Sequence, residues 1–159
     1  MNEQAQIPEN FVQLYQGWVE QSAWYGHAGT RSTQELAYIA MGVSGEAGEF
    51  IDQLKKIIRP YGVDVDWKTV EDEDKLKMVK ELGDVLWYVS QACTFFNIPI
   101  EALMLINTVK LYERLQGKWK DQAEGRDQWP LEGLSYEDAK RLVQHIETLI
   151  SGKTIGRVS

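Results

Sequence analysis

The 159-residue chain has one cysteine, Cys93, so no intrachain disulfide can form. Its setting, Ser90-Gln91-Ala92-Cys93-Thr94-Phe95, reads as helix interior, where a free thiol is expected as a small core group. Positive charge is in short supply: 17 Lys and Arg face 24 Asp and Glu, for a net charge of −7. There is no obvious basic stripe, so duplex nucleic acid is not an expected partner. An acidic chain can still hold a phosphorylated metabolite where a divalent cation supplies the positive charge. No apolar run approaches the roughly 18 residues of a membrane-crossing helix, so no membrane association is expected. The N-terminus lacks a basic segment followed by an apolar one, so no signal peptide is expected and the cytoplasm is the default location. Four prolines and thirteen scattered glycines leave no low-complexity tract and no solenoid-length repeat. Strand signals are nearly absent.

Helical periodicity is abundant. Phe11, Leu14, Tyr15 and Trp18 fall at helical spacing and predict a first helix over about Pro8 to Gln21. Trp24-Tyr25-Gly26-His27-Ala28-Gly29-Thr30 breaks the pattern and reads as a loop. Ser32 and Glu35 form a capping-box pattern at the start of a second helix. Its apolar series is Leu36, Ile39, Ala40, Val43, Ala47, Phe50, Ile51, Leu54 and Ile58, and Pro60 is expected to end it. A third helix is expected from Glu71 to Phe96, with Glu71, Asp72, Glu73 and Asp74 in its first turn, where the helix dipole favours acids. Its stripe is Leu76, Val79, Leu82, Val85, Leu86, Val89 and Phe96, and Asn97 suits a left-handed stop. A fourth helix runs from Pro99 to about Trp119. A last one starts at Ser135, with Asp138 three residues on and Ala139, Leu142, Val143, Ile146 and Leu149 as its apolar face. Helices of this length joined by short loops predict an all-α, four-helix-bundle-like core with an extra C-terminal helix. The expected division is an N-terminal helix and loop (1–32), a core (33–119), and a linker, C-terminal helix and tail (120–159).

Two short segments interrupt these stripes with acids. The second helix carries Gly45-Glu46-Ala47-Gly48-Glu49, and the third carries Glu81-Leu82-Gly83-Asp84. Each holds two carboxylates at i, i+3, about one turn apart on one face, where like charges destabilise an isolated helix. A single E-x-x-E is common on solvated helices. Two such pairs on consecutive helices, each among apolar and small residues, point to a shared purpose. With the helices antiparallel, four carboxylates would converge and repel unless a cation lay among them. Hard oxygen ligands on rigid helices suit Mg²⁺, with Mn²⁺ as a substitute, and Mg²⁺ keeps positions open for substrate phosphates.

Gly42, Gly45 and Gly48 recur every third residue, although glycine inside a helix costs roughly 1 kcal/mol relative to alanine. They predict either close helix packing or room for a ligand beside Glu46 and Glu49. On the fourth helix Asn107, Lys110 and Arg114 share a face, either an ordinary solvated stripe or a basic face for phosphates. Lys55, Lys56 and Lys80 are further cationic candidates. Tyr88 follows Asp84 by one turn, and Trp18, Trp24, Tyr25 and His27 lie near the N-terminus. Each could meet a base or pack in a core.

The combination GEAGEF, KELGDVLWYV and NTVKLYERL resembles the MazG-like, all-α nucleoside triphosphate pyrophosphohydrolases over roughly residues 33–119. Their signature is E-E-x-x-E, a spacer, then E-x-x-D. Glu46 and Glu49 match its second and third acids and Glu81 and Asp84 its last pair, while Gly45 stands where the first Glu often sits. The resemblance implies Mg²⁺ held by these four residues and hydrolysis of the α–β phosphoanhydride of an NTP or dNTP to the monophosphate and pyrophosphate. It implies supporting phosphate contacts from Asn107 and Lys110, which match an N-x-x-K pattern, with Arg114 beside them; of the other cationic candidates, Lys56 is expected to add a phosphate contact. Tyr88, Trp24 and His27 are the base-binding candidates. It also implies a homodimer or homotetramer. Two other readings fit the same residues: a non-catalytic helical interaction module, and a hydrolase of a specialised nucleotide such as phosphoribosyl-ATP.

Overall fold

A computed structural model describes residues 7–117 and 128–152. All regular structure among the described residues is α-helical: α1 (Phe11–Gln21), α2 (Thr33–Tyr61), α3 (Asp72–Phe95), α4 (Ile100–Gln116) and α5 (Tyr136–Ile150). No single helix among them is long and apolar enough to cross a membrane. The expected all-α class is what the chain adopts. Trp119 and Lys120, where the fourth helix and the linker were expected to meet, lie outside the described residues.

The helix ends follow local chemistry. Ser32 caps α2, its Oγ accepting from the Glu35 amide at 3.2 Å. Ser135 caps α5, accepting from the Asp138 amide at 3.2 Å. Asn97 lies just past α3 with φ of 56°, the left-handed stop its position predicts. Pro60, however, does not end α2. A proline in a last turn forfeits only one amide bond, and the helix continues to Tyr61. Gly62 closes it, with φ of 85° and its N–H bonded to Ile58 O at 2.8 Å.

The chain divides into two compact units. The first, Leu14–Phe95, is built on the α2–α3 hairpin. The two helices run antiparallel: the Tyr88 ring lies on Gly42, Gln53 meets Glu81, and Ile57 packs with Met78. Val70, on the loop between them, joins Ile57 and Met78 in one buried cluster, with Phe50, Leu54 and Val65 against it. Val19 of α1 is fully buried, and its carbonyl accepts from Gln91 Nε2 at 2.7 Å. Cys93 is buried, as expected.

Two predicted core stripes are only partly buried. On α1 the buried residue is Val19, whereas Phe11, Leu14 and Trp18 are exposed. On α3 Met78, Ser90, Gln91 and Cys93 are buried, whereas Leu76, Val79, Leu82 and Leu86 remain 44–60% exposed. At 100° per residue those four lie on the face of α3 away from Glu81 and Asp84. Periodicity identifies apolar faces and not what covers them, and α3 has more apolar surface than this unit buries.

In the second unit Ala139 and Val143 of α5 pack with Val109 of α4, flanked by Leu105, Ile106, Trp129, Leu134 and Tyr136. Trp129 Nε1 donates to Leu134 O, which fixes the turn into α5. Tyr136 Oη donates to Glu113 at 2.8 Å, and Lys140 pairs with the same carboxylate at 3.2 Å. Leu142 and Leu149, expected in the α5 apolar face, are exposed.

Candidate functional site

The antiparallel hairpin brings the acidic pairs of α2 and α3 to one level. Glu46, Glu81 and Asp84 each offer a carboxylate oxygen, and these oxygens lie within 4.8 Å of one another. Among the described residues no lysine or arginine forms an ion pair with any of the three. Glu49 stands apart from this group, exposed and one turn along α2. Its charge is still felt: burial raises the Glu46 carboxyl above its ordinary value, followed by the charges of Glu49, Asp84 and Glu81. An acid that protonates too easily marks surplus negative charge, which a divalent cation would relieve. All the donors are hard oxygens on rigid helices, so the set fits such an ion. Sequence reasoning missed Gln53, whose Nε2 donates to Glu81 Oε1 at 3.1 Å and orients that carboxylate. Its place one turn beyond Glu49, facing the α3 acids, was the available signal.

A cleft of ≈ 390 Å³ adjoins the acids and is lined by Trp18, Ser22, Glu46, Asp84, Trp87 and Tyr88. It has an acidic floor and aromatic walls. The walls belong to a larger ring cluster. Tyr25 stacks on Tyr38 with centroids 4.4 Å apart, and Trp87 meets Tyr88 edge-on at 4.9 Å. Trp87 Nε1 donates to Ser22 Oγ at 2.9 Å. Burial raises the Tyr88 phenol, followed by its hydrogen bond with Tyr38 and the nearby Tyr38, Glu46 and Asp84. Tyr15 of α1 is raised as well, by burial and then by Asp84. Gly42 is required by this packing, since a Cβ there would overlap the Tyr88 ring. Gly45 and Gly48 face open space instead. The glycine repeat thus serves close packing at one end and leaves room beside Glu46 and Glu49 at the other.

Of the base-binding candidates, Tyr88 lines the cleft, and Trp24 and His27 do not. Trp24 is 93% exposed, and His27 sits in the preceding loop with φ of 69°. Trp18, also a candidate from the sequence, and Trp87 line the cleft beside Tyr88. Trp87 follows Asp84 by three residues, the spacing of the acidic pairs themselves, so helical spacing was the signal that could have found it. Lys56 lies two turns past Glu49, exposed, and pairs with Asp52 at 3.0 Å. Hydrogen bonds from Lys55 and Lys56 hold the Asp52 carboxyl down to about 2. Lys56 Nζ also reaches Gln53 Oε1 at 3.4 Å. Lys80 is exposed. Asn107, Lys110 and Arg114 are exposed on α4, in the second unit.

Residues 34–116, more than half of the chain and the stretch that contains every one of these acids, match the family described as the MazG nucleotide pyrophosphohydrolase domain. The chain belongs to the MazG family. A relative, the Gene 37 protein of Mycobacterium phage L5, is 36% identical over 104 residues, which cover 65% of this chain and 87% of that protein. No solved structure matches the chain. The MazG match begins inside the first turn of α2 and ends at the last residue of α4, so α1 and α5 lie outside it. Val19, Trp18 and Ser22, which complete the α2–α3 unit and its cleft, are therefore additions to the matched MazG segment.

Proposed function

We propose that the chain is a Mg²⁺-dependent nucleoside triphosphate pyrophosphohydrolase acting on NTPs or dNTPs. The observation that carries this reading is the pairing of the three-carboxylate cluster with an aromatic-walled cleft that shares Glu46 and Asp84 with it. A nucleotide needs both surfaces, one for the metal-bound phosphates and one for the base. Glu46, Glu81 and Asp84 would hold the cation, with Gln53 fixing Glu81. When bound, the cation would neutralise phosphate charge and polarise the α-phosphorus. The base enters between Trp18, Trp87 and Tyr88, where stacking is worth about 1–3 kcal/mol. Glu49, exposed and free of the three-oxygen group, takes the proton of the attacking water. The water oxygen bonds to the α-phosphorus, the bond to the α–β bridging oxygen breaks, and pyrophosphate leaves with the monophosphate as the other product. Asn107, Lys110 and Arg114 are assigned phosphate contacts on the strength of the N-x-x-K pattern, and Lys56 a supporting electrostatic role.

The exposed stripe Leu76, Val79, Leu82 and Leu86 supports self-association, since such a continuous apolar face on a helix seeks a partner. A second copy of the chain is the proposed occupant, in a homodimer or homotetramer.

Pyrophosphate release from all eight common NTPs and dNTPs, with Mg²⁺ and with EDTA, tests the reading. Mg²⁺-dependent release with matching monophosphate is expected and identifies the preferred base. A folded protein that releases none from any of them would direct attention to a specialised nucleotide or to a non-catalytic role.

A further inference from the structure

Glu35 is an unusual capping residue. Ser32 and Glu35 predict a capping box, in which the Glu side chain returns to the cap amide. The Ser32 half of that exchange forms. The Glu35 carboxylate, however, is 5% exposed and turns into the preceding loop. Its Oε1 accepts from the Gly29 amide at 2.7 Å and from Tyr25 Oη at 3.4 Å. Its Oε2 accepts from the Arg31 amide at 2.6 Å. The Ser32 amide faces Thr30 Oγ1 instead, at 3.4 Å.

The loop would not take this shape unaided. His27, Gly29 and Arg31 alternate in the left-handed region, with φ of 69°, 73° and 52°. Two of the three carry side chains, which disfavour that region. Alternating residues of this kind turn successive amides inward, and the concavity accepts an anion. Glu35 supplies that anion from within the chain. Charge-assisted bonds from backbone amides to a carboxylate are short and strong.

The loop in turn reaches the cleft. Tyr25, held at its phenol by Glu35, stacks on Tyr38 with 15° between the planes and meets Trp87 edge-on at 6.3 Å. Burial and then the Glu35 charge push the Tyr25 phenol up to about 12, so it remains a donor across the neutral range. Tyr38 meets Tyr88 at 6.3 Å. Ser22, where the loop leaves α1, accepts from Trp87. Trp87 is therefore backed directly by the loop that Glu35 gathers, and Tyr88 through Tyr38, on which Tyr25 stacks.

We propose that Glu35 is a positioning residue for base recognition: by clasping Gly29, Arg31 and Tyr25 it sets the Trp87–Tyr88 wall against which a base stacks. This inference rests on the nucleotide reading of the cleft. It gives Glu35 no part in the metal cluster or in bond cleavage.

The test uses the full chain carrying Glu35→Gln, which keeps size and one acceptor oxygen but cannot accept both amides. Tyr25→Leu breaks the same path one step later. Each variant is expected to raise KM for the preferred nucleotide about tenfold, the scale of one stacking contact, with kcat within about twofold of the parent. Mn²⁺ affinity at the carboxylate cluster should be unchanged. Combined, the two substitutions should cost little more than either alone, because they interrupt one path. With 5-fluorotryptophan incorporated, the Trp87 fluorine resonance, assigned by its loss in Trp87→Phe, should shift or broaden in both.

A Glu35→Gln variant with parental KM and an unmoved Trp87 resonance overturns the proposal, and so does a fall in kcat at constant KM. Should Glu35→Gln fail to fold, Tyr25→Leu carries the test, and a parental KM there also overturns it. If the parent turns over no nucleotide, the functional reading fails by itself. The Trp87 resonance then decides separately whether Glu35 sets the wall.

Discussion

The Tyr88 ring lies on the backbone of Gly42, so closely that no Cβ fits between them. Gly45 and Gly48, one and two turns further along α2, have nothing near the place a Cβ would take. Gly42→Ala is therefore expected to displace Tyr88 and destabilise the fold by about 1–3 kcal/mol, the usual penalty of overpacking. Gly48→Ala is expected to stabilise the metal-free chain by up to about 1 kcal/mol through helix propensity. Denaturant titration of both variants checks this, and an equal effect at the two positions would contradict the packing described here.

The acids separate stability from turnover. Asp84→Asn and Glu49→Gln are each expected to lower kcat by about 100-fold or more, since the loss of an outer-sphere partner alone costs 10–100-fold. The helical circular dichroism spectrum should persist. Glu46→Gln should raise the melting temperature of the metal-free chain, because it removes a charge that burial and three neighbouring acids disfavour. Pyrophosphate assays and melting curves in EDTA measure the two effects. Near-parental turnover in Asp84→Asn would remove it from the metal site.

Gln53 gives a narrower test. It is the hydrogen-bond donor to Glu81 Oε1, so Gln53→Leu should weaken divalent-ion binding roughly 10–100-fold while leaving the base site alone. Titration with Mn²⁺ followed by water relaxation reads this directly. An unchanged affinity would show that Glu81 needs no orienting partner.

The α3 stripe is expected to mediate self-association. Val79→Glu is predicted to shift the chain to a monomer in light scattering after size-exclusion chromatography. A charge facing water should leave the isolated fold intact, because Val79 is 60% exposed. A parental chain that is monomeric at all accessible concentrations would refute the proposed assembly.

Acid should loosen the second unit. Hydrogen bonds from Tyr136 and then Lys140 hold the Glu113 carboxyl below its ordinary value. Ser135 and then Arg141 do the same for Asp138. A carboxyl whose folded pKa is depressed stabilises the fold above its ordinary value of 4.5 for Glu113 or 3.8 for Asp138, and that contribution is lost as pH falls through the folded value. Protection factors for α5 amides, which remove the intrinsic pH dependence of exchange, should therefore fall below about pH 4.5, and less so in Glu113→Gln, which has no charge to lose.

The sequence by itself determined the helices, their caps and the level at which the acids meet. Ser32, Ser135 and Asn97 act where their local chemistry puts them, because a cap depends on a few neighbouring residues. The i, i+3 spacing of Glu46 with Glu49 and of Glu81 with Asp84 fixed which face each pair shares, and an antiparallel hairpin was enough to bring the faces together. Only the tertiary structure decided the rest. It separated Glu49 from the three close oxygens, because convergence depends on the rotation of each helix and not on spacing. It buried Ser90 and Cys93 near the end of α3 and left Leu76, Val79, Leu82 and Leu86 of that same face exposed, because burial depends on which stretch of a face a neighbour covers. It turned Glu35 from a local cap into the anion that gathers a loop, a role set by left-handed backbone at His27 and Arg31 that no periodicity announces. It placed Trp87 and Trp18 at the cleft and left Trp24 and His27 out of it, since which ring faces a cavity depends on contacts between residues as far apart as Ser22 and Trp87.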